Sequence, residues 1–155
     1  MKKTLVSFFV MLMCAVYAQA QYSILPYEIK GAGTGAQGSY VVEVTVTSKK
    51  SNINDDEFVK CAVHGVLFKG FFNDDLRQSQ KPLAGSAMSE EQHADFFQTF
   101  FVSSYSNYGQ ALSTSRRVTK VKKEYKIKAT VTVNKDQLRK DLEAAGVIKG
   151  LNSGF

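Results

Sequence analysis

Few side chains in this sequence are suited to covalent or metal chemistry: Cys14, Cys61, His64 and His93 are the only cysteines and histidines. Cys61 and His64 stand three apart, a spacing that brings two side chains near one face of a helix and suggests a thiol–imidazole dyad. A reactive thiolate needs an accessible, electropositive setting. Cys61 instead sits among Phe58, Val59, Ala62 and Val63, where a small buried apolar residue is expected. Neither histidine belongs to a metal-ligand spacing such as H-x-x-x-H with a nearby acid, so no metal is expected. Beyond residue 20 the chain has no G-x-S-x-G elbow and no S-x-x-K sequence.

Adjacent carboxylates occur at Asp55, Asp56 and Glu57, at Asp74 and Asp75, and at Glu90 and Glu91. The first and third groups are accounted for as negative charge at helix N-termini, and no catalytic residue is expected. Gly33-Thr34-Gly35-Ala36-Gln37-Gly38 spells G-x-G-x-x-G. A dinucleotide site needs a helix after those glycines, to present its N-terminus to the pyrophosphate. Here a strand pattern follows, so the segment is expected to be a connector and no cofactor is expected.

Charge offers more. Arg116, Arg117, Lys120, Lys122, Lys123, Lys126 and Lys128 fall within one predicted hairpin. On a shared solvent face they would form a positive strip for phosphate, an acidic polysaccharide or an acidic protein. The plainer role of exposed strand lysines is to discourage edge-to-edge aggregation.

The chain opens with Lys2 and Lys3, an apolar run over residues 5–16, and Ala18-Gln19-Ala20 before Gln21. Positive charge, apolar run and small residues at −3 and −1 are the features of a secretory signal peptide cut after Ala20. The run is shorter than the roughly 20 residues that span a bilayer, and no later segment is long enough. Cys14 follows Leu12 and Met13, where lipoprotein processing wants a small residue, so it is expected to be discarded with the leader.

Cleavage takes 20 of 155 residues and two lysines, leaving 18 basic against 14 acidic residues, a net charge of +4. Nucleic acid is not an expected partner. The remaining 135 residues suit one domain over 39–155 behind a flexible glycine-rich lead-in over 21–38. Cys61, then alone, has no intrachain disulfide partner. Export to the periplasm or the exterior is the expected localisation.

Alternation of Tyr40, Val42, Val44 and Val46 with polar neighbours predicts a half-buried strand over 39–49. Residues 52–56 carry capping chemistry for a helix over 55–68. Residues 71–87 read as a long loop with one short helical turn, a candidate binding surface. Ser89 and Gln92 have the spacing of a capping box for a helix over 90–104 that presents Phe96, Phe97, Phe100 and Phe101. Core packing is the expected role of that stripe, and an exposed aromatic patch with Phe71 and Phe72 is its rival. A polar, aromatic turn over 105–109 follows. A hairpin over 113–133 turns at Lys122-Lys123-Glu124, with Tyr125, Ile127, Ala129, Val131 and Val133 inward. Asn134 and Gln137 cap a last helix with Leu138, Leu142 and Ala145 as its apolar stripe and Gly146 as terminator. Gly146 to Phe155 lacks the alternation of a barrel strand.

The predicted class is α+β: a mainly antiparallel sheet of three or more strands, with two or three helices packed on one face. Core positions are expected at Phe58, Val63, Leu67, Phe97, Phe101, Ile127, Val131 and Leu142. This order, carried by Tyr40–Val46, Phe58-Val59-Lys60-Cys61-Ala62-Val63-His64, Tyr125–Val133 and Asn134–Leu142, resembles small exported bacterial α+β domains of envelope and flagellar accessory lipoproteins. The resemblance covers roughly residues 39–147 and lacks their lipobox. It implies an envelope-associated, non-enzymatic role and brings no functional residues with it.

Three function classes remain open. The first is a non-catalytic envelope module that binds a protein or polyanion through the basic hairpin or the long loop. The second is a small apolar-ligand-binding protein with a pocket between the phenylalanine-rich helix and the sheet, which a closed cavity lined by Phe97 and Phe101 would favour. The third is an enzyme of unrecognised type, which clustered acid–base groups in a cleft would favour.

Overall fold

The computed structural model describes residues 22–150. The expected leader, with Cys14, and Phe155 lie outside the described residues. Strand β1 (Tyr27–Gly31) is followed by β2 (Ser39–Ser48) and helix α1 (Asp55–His64), which continues as a π-helical turn over Gly65–Lys69. Short strands β3 (Phe71–Asn73) and β4 (Gln78–Gln80) precede helices α2 (Ala87–Gln92) and α3 (Ala94–Thr99). A π turn (Phe100–Ser104) and a 3-10 turn (Tyr105–Tyr108) extend α3, and strands β5 (Gly109–Val121) and β6 (Glu124–Asn134) lead into helix α4 (Lys135–Ala144).

The six strands form one sheet in the order β4-β3-β1-β2-β6-β5, antiparallel throughout except where β1 meets β3. The α+β class with a mostly antiparallel sheet is therefore the observed one. Val42, Val44 and Val46 of β2 lie beside Ile127, Ala129, Val131 and Val133 of β6, and all seven are buried. Helices α1, α3 and α4 bury side chains in the same apolar cluster, which lies on one side of the sheet. All eight expected core residues are in it. Each fully buried aliphatic or aromatic side chain there contributes roughly 1.5–3 kcal/mol through removal from water.

Four expectations are corrected. Residues 27–31, placed in a flexible lead-in, are an interior strand. Tyr27 and Ile29 alternate with Glu28 and Lys30, and their partners on β2 are Val46 and Val44. A Cβ on Gly31 would lie 2.5 Å from that of Asn73, so glycine lets β1 and β3 approach. The G-x-G-x-x-G glycines occupy the turn between two strands.

Second, residues 71–87 are no long loop. Asn73, buried, donates from its side-chain nitrogen to the Gly33 carbonyl (3.0 Å) and accepts from the Leu76 N–H (3.1 Å). That turn pairs β3 with β4. Phe71 is buried and Phe72 exposed, each away from the phenylalanine helix in the sequence and on opposite faces of β3.

Third, the phenylalanine segment starts at Ala87 behind Ser86 and breaks at His93, which takes φ −117° and ψ 34°. The expected Ser89 capping position is inside helix α2. Phe97, Phe100 and Phe101 are buried and Phe96 half-buried, which makes the stripe core.

Fourth, β5 begins at Gly109 and carries a bulge between Leu112 and Arg117. Ser115 Oγ fills the break, accepting from the Thr130 N–H (2.8 Å) and donating to the Leu112 carbonyl (2.6 Å). Asn134 caps α4 by accepting from the Gln137 N–H, while the Gln137 side chain bonds Asp141 instead of reaching back. Ala145 is exposed outside the apolar stripe, and Gly146 ends the helix at φ +72°.

Candidate functional site

The hairpin's seven basic residues do not share one face. Directly paired residues in an antiparallel ladder project to the same side. Arg117 pairs with Lys128 and Thr119 with Lys126, on the side away from the helices. Lys120 pairs with Tyr125 on the other side, its ammonium 5.8 Å from the ring centre. Arg116, released by the bulge, turns to Asp55 at the start of α1 and lies over the Phe58 ring. Ser113 Oγ donates to the same carboxylate, 2.7 Å away. Asp55 thus anchors the bulge to α1 as well as serving the helix N-terminus. Lys128 pairs with Glu43 at 3.0 Å.

What remains is more compact than the expected strip. Lys122 and Lys123 form the turn, with Lys122 at φ +56°. Lys126 stands opposite Thr47 on β2, and Lys49 follows at the end of that strand. These four lysines border one hollow of about 770 Å³ with Thr47, Val121 and Glu124. None of the four forms an ion pair with a described residue. Sequence reasoning missed Lys49. Pairing the two valine- and isoleucine-bearing inward faces sets Thr47 against Lys126, and that register would have found it.

A second polar cluster unites residues far apart in the chain. His64 Nδ1 lies 2.6 Å from the Tyr27 hydroxyl, and Nε2 lies 3.3 Å from Glu90 Oε1. The Tyr22 hydroxyl donates to the same Glu90 oxygen. Burial first, and the Lys69 ammonium second, push His64 down to about 4. Neutral at pH 7, the ring accepts from Tyr27 at Nδ1 and donates to Glu90 from Nε2. Burial holds the Tyr27 hydroxyl well above its ordinary range, and burial with neighbouring Glu91 raises Glu90. His64 is packed against Phe68 and Phe101 and meets a carboxylate 26 positions later in the chain. The arrangement is a closed relay, with both imidazole nitrogens engaged by protein groups and the tyrosine kept protonated. Its evident work is to bind residues 22–27 to α1 and α2.

Cys61 is buried, with the Leu25 carbonyl as its hydrogen-bond partner at 4.0 Å and a thiol pushed up to about 12 by burial. That setting suppresses the thiolate a dyad would use. Phe97 and Phe101 are buried with ring centres 6.3 Å apart, Phe97 against Phe68 of the π turn after α1 (4.8 Å) and Phe101 against His64 of α1 (5.6 Å). Among the described residues, no group of three or more His, Cys, Asp or Glu side chains is placed to hold a metal ion, and no helix is long and apolar enough to cross a membrane.

The chain matches no family model, no curated protein and no solved structure.

Proposed function

We propose that this chain is an exported, non-catalytic interaction module of the bacterial envelope whose hairpin tip binds an anionic partner, either a polymer or an acidic protein surface. The supporting observation is the set of four lysines, Lys49, Lys122, Lys123 and Lys126, without an ion pair among the described residues, around one hollow with a single carboxylate, Glu124, in its lining. Like charges held together without internal partners leave a local positive field that an anion relieves. The exposed Val121 beside them adds apolar contact for a partner's backbone or ring. A carrier of small apolar ligands has less support, because the Phe97 and Phe101 rings are packed against Phe68, His64 and each other.

Retention on immobilised heparin or lipopolysaccharide, followed against salt, tests the reading. Replacing all four lysines by glutamine should abolish retention at physiological ionic strength. The Arg116→Gln/Lys128→Gln pair, whose charges are already neutralised internally, should elute close to the parent. Unchanged retention of the quadruple variant would end the proposal.

A further inference from the structure

The sheet leaves one long edge open. Among the described residues β5 pairs with β6 alone and no backbone–backbone hydrogen bond ties it to another segment, whereas the opposite edge, β4, is three residues long. Beyond the bulge the edge runs regularly over residues 117–121, all five exposed. The Lys122-Lys123 turn closes on the Val121–Glu124 pair, so every second pair from there, Thr119–Lys126 and Arg117–Lys128, exchanges backbone hydrogen bonds inside the hairpin. The N–H and C=O groups of Val118 and Lys120 therefore point outward from the sheet, a template for another strand.

Side chains along this edge mix charge with apolar surface. Arg117 and Lys120 form no ion pair with a described residue, and Val118 and Val121 are exposed beside them. Val118 is 49 % exposed although its partner Ile127 is fully buried, so the margin of the apolar cluster stands half in water. A second copy laid along β5 would crowd Arg117 and Lys120 of both chains together. An anionic polysaccharide would neutralise those charges but cannot complete a β ladder. An extended acidic polypeptide does both. We propose that residues 117–121 bind an extended acidic segment of a partner protein as a seventh, antiparallel strand. The inference rests on the reading of the hairpin as an anion-binding element and narrows the partner to polypeptide. Facing residues share a side of the sheet, so the segment carries acids opposite Arg117 and Lys120 and apolar residues opposite Val118 and Val121. Read from its own N-terminus, the order is apolar, acidic, any, apolar, acidic.

The probe is the blocked peptide acetyl-TVETVET-amide, added to the isotope-labelled full chain. At a peptide concentration about ten times its Kd, amide hydrogen exchange at Val118 and Lys120 should slow about 10-fold, and less at Arg117 and Thr119, which already bond β6. Replacing both glutamates of the peptide by lysine should weaken binding about 10-fold, and so should methylating the backbone nitrogens of its third and fifth residues, which face Lys120 and Val118. The methylated peptide keeps its charge and leaves the protein unaltered, so binding as tight as the parent's would overturn the proposal. Arg117→Glu/Lys120→Glu should shift the preference toward the lysine peptide, and an unchanged preference would overturn it too, as would the absence of saturable binding up to about 1 mM. Heparin retention that depends on the four tip lysines while the peptide fails to bind would strike out the added strand and leave the broader reading in place.

Discussion

The hairpin tip and the His64 cluster are both polar constellations, but they handle charge in opposite ways. At the tip, four lysines stand in solvent with no ion-pair partner among the described residues. At the cluster, Tyr22, Tyr27, His64 and Glu90 meet one another's hydrogen-bonding needs beneath aromatic cover from Phe68 and Phe101, whose rings lie 5.0 and 5.6 Å from the imidazole. Satisfied, half-buried groups fix structure, because removing one member leaves another without a partner in a poor solvent for charge. Unsatisfied, exposed charges leave stability almost untouched and keep their interaction energy for something outside the molecule.

Four measurements press on that contrast. The largest effect is expected at the cluster's roof, where Phe101→Ala should cost about 3–5 kcal/mol in denaturant unfolding. A loss below 1 kcal/mol would mean that the aromatic layer is dispensable. Acid should act on the same region. The unfolded chain takes up the His64 proton near its ordinary value of about 6.5 while the fold resists until about 4. The unfolded state therefore binds more protons between those values, and stability should fall by an amount on the order of 3 kcal/mol as pH drops through them. Glu90, raised by burial, opposes this slope because its protonated form is favoured in the fold. Glu90→Gln should accordingly steepen the loss, and His64→Phe should flatten it.

Next in size, Tyr27→Phe leaves His64 Nδ1 unpaired and should cost about 1–3 kcal/mol. A stability change near zero would show that water replaces the hydroxyl. Smallest is the tip: the four-lysine glutamine variant should stay within about 0.5 kcal/mol of the parent in unfolding free energy. If it instead loses stability like the cluster variants, the two regions are not different in kind.

Much of the fold was legible in the sequence because period-two and period-3.6 patterns reflect burial directly, as Val42, Val44 and Val46 or Leu138 and Leu142 do. Short strands escaped. Tyr27–Gly31 carried a readable alternation but sat beside a glycine-rich stretch, and three residues of β3 give no period to recognise. The break at His93 interrupts a stretch in which no glycine or proline marks a helix end. For the basic hairpin, composition located the residues, while the bulge, invisible in the sequence, decided which charges face solvent. The His64 cluster was illegible because its members come from three separate segments, residues 22–27, α1 and α2, and proximity in three dimensions is their only common property.

The pairing of β2 with β6, from Ser39 against Asn134 to Ser48 against Tyr125, joins an early part of the chain to a late one. The centre of the sheet cannot close until nearly the whole polypeptide has been delivered, and such distant pairings make folding slow. A chain still emerging from the ribosome therefore carries β2 without its neighbour β6, and the sheet is completed only when residues 124–134 have followed.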